Sequence, residues 1–503
     1  MAHRLQPIVD WMWHATHSRA SAAAAPAPRA SFRAARGDRL LSSWRGAHES
    51  INTLLRRDLA TLRARSREQW GSNEYARRFS QLVRTQVSGP HGFQLQNRAR
   101  LADGRPDQTF NDTLEDLWAE WSRRGSYDVT GRLSRPEGER LIVDTIARDG
   151  EVLVRKVRGY RTPRGYAVQI LEADHLDESY NVERSDGTRI RMGVELDTWE
   201  RPVAYHLLTR HPGDAVYWHG GRQYERVPAG DLIHCFLPMR PHQVRGLPWM
   251  HAALVALHAL GQYREAAVIA AQVGASKLGF LTSETGDLAL GAADARGDQL
   301  IDVEAGSIQQ LPEGASFTAW DPSYPHEQFG AFMQSTLKGI SAGLGVAYHS
   351  FANDSSQSNY SSARSAMLDE RDGWAVVQQA IASTLLDDLL GDWARWQVTT
   401  GALALGARAF ERAVRPQWLG RSWDWVDPLK DGQASALAVR ERFQSRSEII
   451  RRRGRDPDEV WREIAAENQL LSELGIAPES AAPVSLEPPA PDASTIDDES
   501  EAA

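Results

Sequence analysis

The sequence predicts an α+β, multidomain subunit organised around one long apolar helix. Three observations carry this. Residues 247–276 form a rod of Ala, Leu and Val broken only by Gly261 and Gly274. The apolar period changes from helical to strand-like near Gly150. Beyond the rod, two more long helical patterns flank a polar loop at 345–358. From Trp249 to Ser276 the rod runs about 42 Å at 1.5 Å per residue. Pro248 suits its first turn, and charge enters only at Arg264, Glu265 and Lys277. A helix apolar almost all round must be covered by lipid, by its own domain or by sister copies. Lipid is the poorest cover, because His251, His258, Gln262, Arg264 and Glu265 interrupt any spanning stretch.

At 503 residues the chain has room for several domains. Its one cysteine, Cys235, excludes a disulfide framework and a cysteine-based zinc site. Residues 1–100 carry 17 Arg, no Lys and 6 acids, whereas the remainder holds 41 basic and 60 acidic residues. Such a basic end reads either as a polyanion-binding arm or as a helical face paired with acidic neighbours.

In chain order, residues 1–44 read as an irregular basic leader without the unbroken apolar stretch of a signal peptide. Helices are expected at 47–69, with Ile51, Leu54, Leu55, Leu59 and Leu62 on one face, and at 74–87, ended by Gly89-Pro90. Another at 112–124 places Leu114, Leu117, Trp118 and Trp121 together, and Pro136 to Gly150 frames a fourth. Strands are expected at 151–158, 166–171, 189–196, 202–209, 215–218, 223–227 and 231–237. A Gly- and Asp-rich insert, 277–324, separates the rod from a second helix at 325–344. A third long helix spans 359–396, a Trp-rich segment at 410–430 follows, and shorter helices cover 432–453 and 457–474. The tail, 478–503, has seven acids and no base, a composition of disorder.

Candidate chemistry is sparse. Gly339-Ile340-Ser341-Ala342-Gly343 matches the G-x-S-x-G of serine hydrolases, with His219-Gly220-Gly221 upstream. A nucleophilic Ser341 needs a strand before it and a histidine beyond its acid, yet Phe329–Lys338 looks helical and His349 is the last histidine. A serine hydrolase or protease is therefore a competing reading, and a monomeric nucleic-acid binder using the basic end is a third. Ser335 to Lys338 mimics S-x-x-K without its partner motifs, and no P-loop occurs. His251 and His258 lack a carboxylate at ligand spacing, so neither a metal nor a cofactor is expected.

The stretch Arg240-Pro241-x-Gln243-x-Arg245-Gly246-Leu247-Pro248-Trp249 resembles the lambda-like branch of the phage portal protein family. So does Asn359-Tyr360-Ser361-Ser362-Ala363-Arg364, with support from Leu62–Arg67, Arg201–Tyr205 and Asp427–Lys430. The matches span about 45–475, and the early segment departs from the family in having Ser72 where an Arg-Asn pair is usual. The resemblance implies a non-enzymatic, dodecameric ring at the capsid vertex, through which double-stranded DNA is packaged and ejected. It implies a wing at 45–246, stem helices at 247–276 and 325–344, a clip at 277–324, a wing return at 397–431 and crown-side helices at 432–477. The tunnel loop would be 345–358 and the tunnel helix 359–396, with Ser350, Asn353, Asp354, Ser355, Ser356, Gln357, Ser358 and Asn359 facing the channel. Residues Arg240, Pro241, Gln243, Arg245, Gly246, Pro248, Trp249, Tyr360, Ser361, Ser362 and Arg364 would be structural. Implied partners are the terminase large subunit, major capsid and scaffold proteins, and head-completion or connector proteins, with no membrane. The physics agrees: residues 350–359 carry no positive charge, so DNA can pass them without being held by counterion release.

Overall fold

The computed structural model describes residues 48–185, 187–214, 222–275, 279–283, 315–319, 328–356, 359–406, 409–423 and 428–476. The expected leader, acidic tail, strand 215–218 and most of the clip insert lie outside them, as do Gln357 and Ser358. The architecture below belongs to the compact unit of residues 54–503, which the first turn of the opening helix precedes.

Helix α1 is Ile51–Ser72. Asn73 then turns extended, and its side chain accepts from the Tyr75 and Ala76 amides to start α2, Glu74–Val83. The expected helix 74–87 is thus real but changes geometry, since Arg84–Ser88 is a π-turn closed by Gly89. Strand β1 (Gln94–Asn97) follows, then α3 (Gln108–Trp121) and α4 (Arg135–Asp149). A Ser134–Glu137 capping box opens α4, and Gly150 at φ 93° ends it.

The strand region forms two antiparallel sheets. Strands β2 (Glu151–Arg158), β3 (Tyr166–Glu172) and β9 (Leu232–Phe236) stand in the order β3-β2-β9. The others are β4 (Val182–Glu183), β5 (Arg189–Arg191), β6 (Val194–Leu196), β7 (Pro202–Leu208) and β8 (Tyr224–Pro228), in sequence order. The expected strand 189–196 is a hairpin, because Met192 and Gly193 take φ of 47° and 83° at its centre. The pairing of β9 with β2 carries the last strand back beside α4 and aims the chain at the rod.

The rod begins as a 3-10 turn, Trp249–Ala252, behind Pro248, and becomes α5 at Leu254–Ala275. The pair β10 (Gly279–Ser283) and β11 (Ala315–Ala319) is antiparallel and leads to α6, Phe329–Leu344. In this chain α5 buries Leu254, Leu257, Leu260 and Ala267, while Val255 is 78 %, Val268 57 % and Ile269 52 % exposed. On α6, Phe332 is 52 % exposed. Among the described residues no helix is long and apolar enough to cross a membrane.

A short helix, α7 (Tyr348–Ala352), precedes α8 (Tyr360–Ile381). The expected single helix 359–396 contains a π-turn, Ala382–Leu386, before α9 (Asp387–Thr399). Then come α10 (Phe410–Ala413), β12 (Pro416–Leu419), α11 (Pro428–Arg440), α12 (Arg446–Arg452) and α13 (Pro457–Glu473). The expected helix 432–453 is two helices, because Arg442 at φ 62° breaks it. Strand β12 pairs with β1, closing more than 300 residues of chain, a contact no local pattern announces. Where α3, β3 and α9 meet, Trp118 and Trp121 sit 5.1 and 6.0 Å from Trp393, with Tyr127 and Tyr166 around Trp121.

Beside β1, Glu115 of α3 accepts from the Asn97 amide at 2.6 Å, and Asp456 accepts from Gln96. Burial, with Asp456 and Asp112 nearby, pushes the Glu115 carboxyl up to about 7, from an ordinary 4.5. An acid raised on folding keeps its proton in the native state while the unfolded chain loses it. Stability should therefore fall as pH rises from about 4.5 to 7 and level off above. Glu115→Gln is expected to remove that part of the pH dependence of Tm; an unchanged Tm difference between pH 5 and pH 8 would contradict it.

Candidate functional site

The turn into the rod is built on a buried charge node. Helix α1 places Arg63 and Arg67 one turn apart, on the same face. Gly150 ends α4 and makes Glu151 the first residue of β2, directly below them. Arg245 and Glu151 are fully buried. Arg245 donates from Nη2 to Glu151 at 2.6 Å and from Nε at 2.9 Å. Its remaining N–H groups go to the carbonyls of Leu176, Met192 and Ala173 at 3.0, 2.8 and 3.1 Å, so all five donors are used. Glu151 also accepts from Arg63 at 2.9 Å, from the Gly246 amide at 2.7 Å and contacts His234 at 2.8 Å. Burial would raise its carboxyl, but Arg245, His234 and Arg63 override this and hold it far below the ordinary carboxylate range.

The other motif residues brace the same turn. The Gln243 side chain accepts from the Met239 and Arg240 amides at 2.9 and 3.3 Å and donates to the Arg245 carbonyl at 2.8 Å. Trp249 packs edge-on against Phe79 and Trp374. Gly246 is required for a reason other than a left-handed φ, which it does not adopt. A Cβ there would lie 2.1 Å from the Gly150 carbonyl oxygen. Gly150 reciprocates, since its Cβ would lie 2.4 Å from the Leu247 carbonyl carbon. Two backbones touch at this point, and only glycines permit it. Glu151 and His234, the partners that give the motif its purpose, carry no local signal in the sequence. Only the basic charge of the first 100 residues hinted at a face paired with acidic neighbours.

The expected channel loop is partly helical. Gly345 ends α6 in a left-handed turn and α7 follows within three residues. Ser350 donates to Glu370 at 2.7 Å, its carbonyl accepts from Arg78 at 2.9 Å, and Phe351 is buried beside Tyr75. Ser350 is therefore tied to its own chain through both its hydroxyl and its carbonyl. Asn353 takes φ 53° at the end of α7. Asp354 accepts from the Tyr348 hydroxyl at 2.8 Å and from the Ser356 amide at 3.0 Å. Those bonds, the Ser356 ones foremost, hold its carboxyl down at about 2. Ser355 and Ser356 are exposed. Asn359 caps α8, accepting from the Ser362 amide at 2.7 Å, with Tyr360 and Ser361 in the first turn. Arg364 follows one turn on.

Ser341 is no nucleophile elbow. It lies inside α6, is buried, and donates to the Lys338 carbonyl at 2.9 Å. Among the described residues one group converges with metal-like spacing, Glu172, Asp174 and His211. The Arg67 guanidinium already stands among them, 2.5 Å from Asp174 and 3.3 Å from Glu172, so a cation's place is filled.

Comparison with known proteins agrees with the motif. The family described as phage portal protein, lambda family, matches residues 37–378. The probable portal protein of Halomonas phage phiHAP-1 is 39 % identical over 453 residues, covering 88 % of this chain and 87 % of that one. Portal protein B of Escherichia phage lambda is 21 % identical, covering 89 % and 90 %. Among solved structures, a chain from the neck of an empty gene transfer agent particle aligns at TM-score 0.46 and 18 % identity, covering 84 % of this chain and 99 % of that one. The chain belongs to the lambda family of phage portal proteins, non-enzymatic structural components of the virion.

Proposed function

We propose that this portal protein acts as a closed ring of copies, twelve in keeping with its family, that conducts double-stranded DNA during packaging and ejection. The ring is also the platform for terminase, capsid and scaffold proteins, and head-completion proteins. The observation that carries this reading is the apolar surface that α5 and α6 leave open, at Val255, Val268, Ile269 and Phe332. A surface of that kind is covered when each subunit presents it to a different face of the next, a contact that closes by rotation. Residues 247–276 and 325–344 are then the stem and 277–324 the clip, with the wing at 45–246 and 397–431 and the crown at 432–477. Ser350 and residues 353–359 face the channel, and 359–396 forms its wall.

A conduit must not grip its cargo. Ser355 and Ser356 are exposed, and their neighbour Asp354 is held ionised by Tyr348 and Ser356. Changing Ser355 and Ser356 to lysine would give each copy two phosphate contacts, multiplied round the ring. Rings of the Ser355→Lys/Ser356→Lys variant are expected to assemble normally but to slow DNA filling several-fold, with partial recovery as salt is raised. Filling at the normal rate, in intact rings, would show that this loop never meets DNA.

A further inference from the structure

The C-terminal helices divide their charge and leave their apolar faces uncovered. Residues 440–455 hold seven arginines and two glutamates, whereas 456–473 holds six acids and one arginine. Within the chain the two stretches share the Arg455–Glu463 pair at 2.6 Å, and Arg462 is spent on Asp112 at 3.0 Å. Arg442, Arg446 and Arg453 form no ion pair among the described residues, and neither do Glu459 and Glu467.

The shapes match as the charges do. Between α11 and α12 lies a groove of about 600 Å³, lined by Ala434, Ala438, Phe443, Ile449, Arg453 and Arg452, the last paired with Glu448 at 3.0 Å, with Asp431 also on its wall. Phe443 is 82 % exposed. On α13, Val460, Ile464 and Leu471 fall on one stripe with Trp461 and Leu474 beside it, and Glu463 and Glu467 along its edge. Trp461, Ile464 and Leu474 are all exposed. The helix cannot fold back into its own groove: Gly454 turns it away at φ 73°, and Asp456–Gln96 and Arg462–Asp112 fix its base to α3 and β1.

We propose that α13 of one copy lies in the α11–α12 groove of the next, with its apolar stripe on Phe443 and Ile449 and its glutamates against Arg452 and Arg453. This rests on the ring reading and adds to it a directional contact on the C-terminal side, with a helix-in-groove geometry. The two patches differ, so the contact is heterologous and propagates from copy to copy.

Cys235 is the chain's one cysteine and is buried, which leaves the surface free for engineered pairs. The full-length chain carrying Ala434→Cys with either Ala465→Cys or Glu467→Cys is assembled, mildly oxidised and run on a non-reducing gel. The expected result is a ladder of multimers that needs both cysteines, disappears on reduction and weakens at least several-fold when Trp461→Ala and Ile464→Ala are added. Rings of normal mass whose double variants stay monomeric, or that show only an internally closed monomer, would overturn the proposal while leaving the ring intact. A groove occupied by duplex DNA would also leave those variants monomeric, and Arg452→Gln/Arg453→Gln would then lower the salt dependence of duplex binding; that too overturns it. Failure of the unmodified chain to form rings would instead remove the ring reading on which the proposal stands.

Discussion

Glu151→Ala is expected to destabilise the subunit by about 3–5 kcal/mol, because it takes the fully buried carboxylate away from two buried guanidiniums at once. Arg245 would keep its three carbonyl partners but only the distant Glu178, at 3.9 Å, as counter-charge, and Arg63 would keep Glu178 at 2.7 Å and the more distant Asp174 at 3.8 Å. The Gly246 amide would also lose its acceptor. The consequence reaches beyond stability, since this node fixes where the turn leaves β9 and enters the rod. Thermal unfolding should move down by several degrees, and ring yield should fall with it. Glu151→Gln, which keeps the shape and acceptor but not the charge, should lie between alanine and the unmodified chain. An alanine variant as stable as the parent would mean the node is not closed as described. The sign with pH follows from the depressed carboxyl: its contribution is complete above the ordinary carboxylate range and is lost progressively as pH falls from that range into strong acid.

Gly246→Val should be as severe for a different reason. The obstruction is backbone, the Gly150 carbonyl oxygen 2.1 Å and its carbon 2.6 Å from the new Cβ, so no rotamer relieves it. The turn must open, which pulls Arg245 off Glu151 and displaces Trp249 from Phe79 and Trp374. Ring yield near zero with soluble but protease-sensitive chain is the expected outcome. Gly246→Ala brings the same clash and should be nearly as damaging, which separates close approach from β-branching. A normal ring yield in either variant would contradict the described contact.

The rod, the period change at Gly150 and the strands β2, β3, β7 and β9 were legible because each depends on local alternation or helical spacing. The motif at 240–249 was legible as a pattern, but its cause was not. Glu151 lies some ninety residues before Arg245, and nothing near it distinguishes an acid that opens a strand from one that anchors a turn. The β1–β12 pairing was invisible for the same reason. The channel loop was read as uniformly polar, yet Phe351 was the residue to weigh: one buried ring pins α7 and draws Ser350 inward. Gly246 was legible as part of the motif at 240–249, but its reason, two backbones in contact and not a positive φ, was not.

The central claim is that the apolar surface α5 and α6 leave open is sheltered by sister copies. Light scattering on the purified full-length chain, with negative-stain images of the same fraction, tests it most directly. The account predicts a closed ring of many subunits with a central opening, persisting on dilution. A stable single subunit at high concentration, with Val255, Val268, Ile269 and Phe332 still open to solvent, would contradict it.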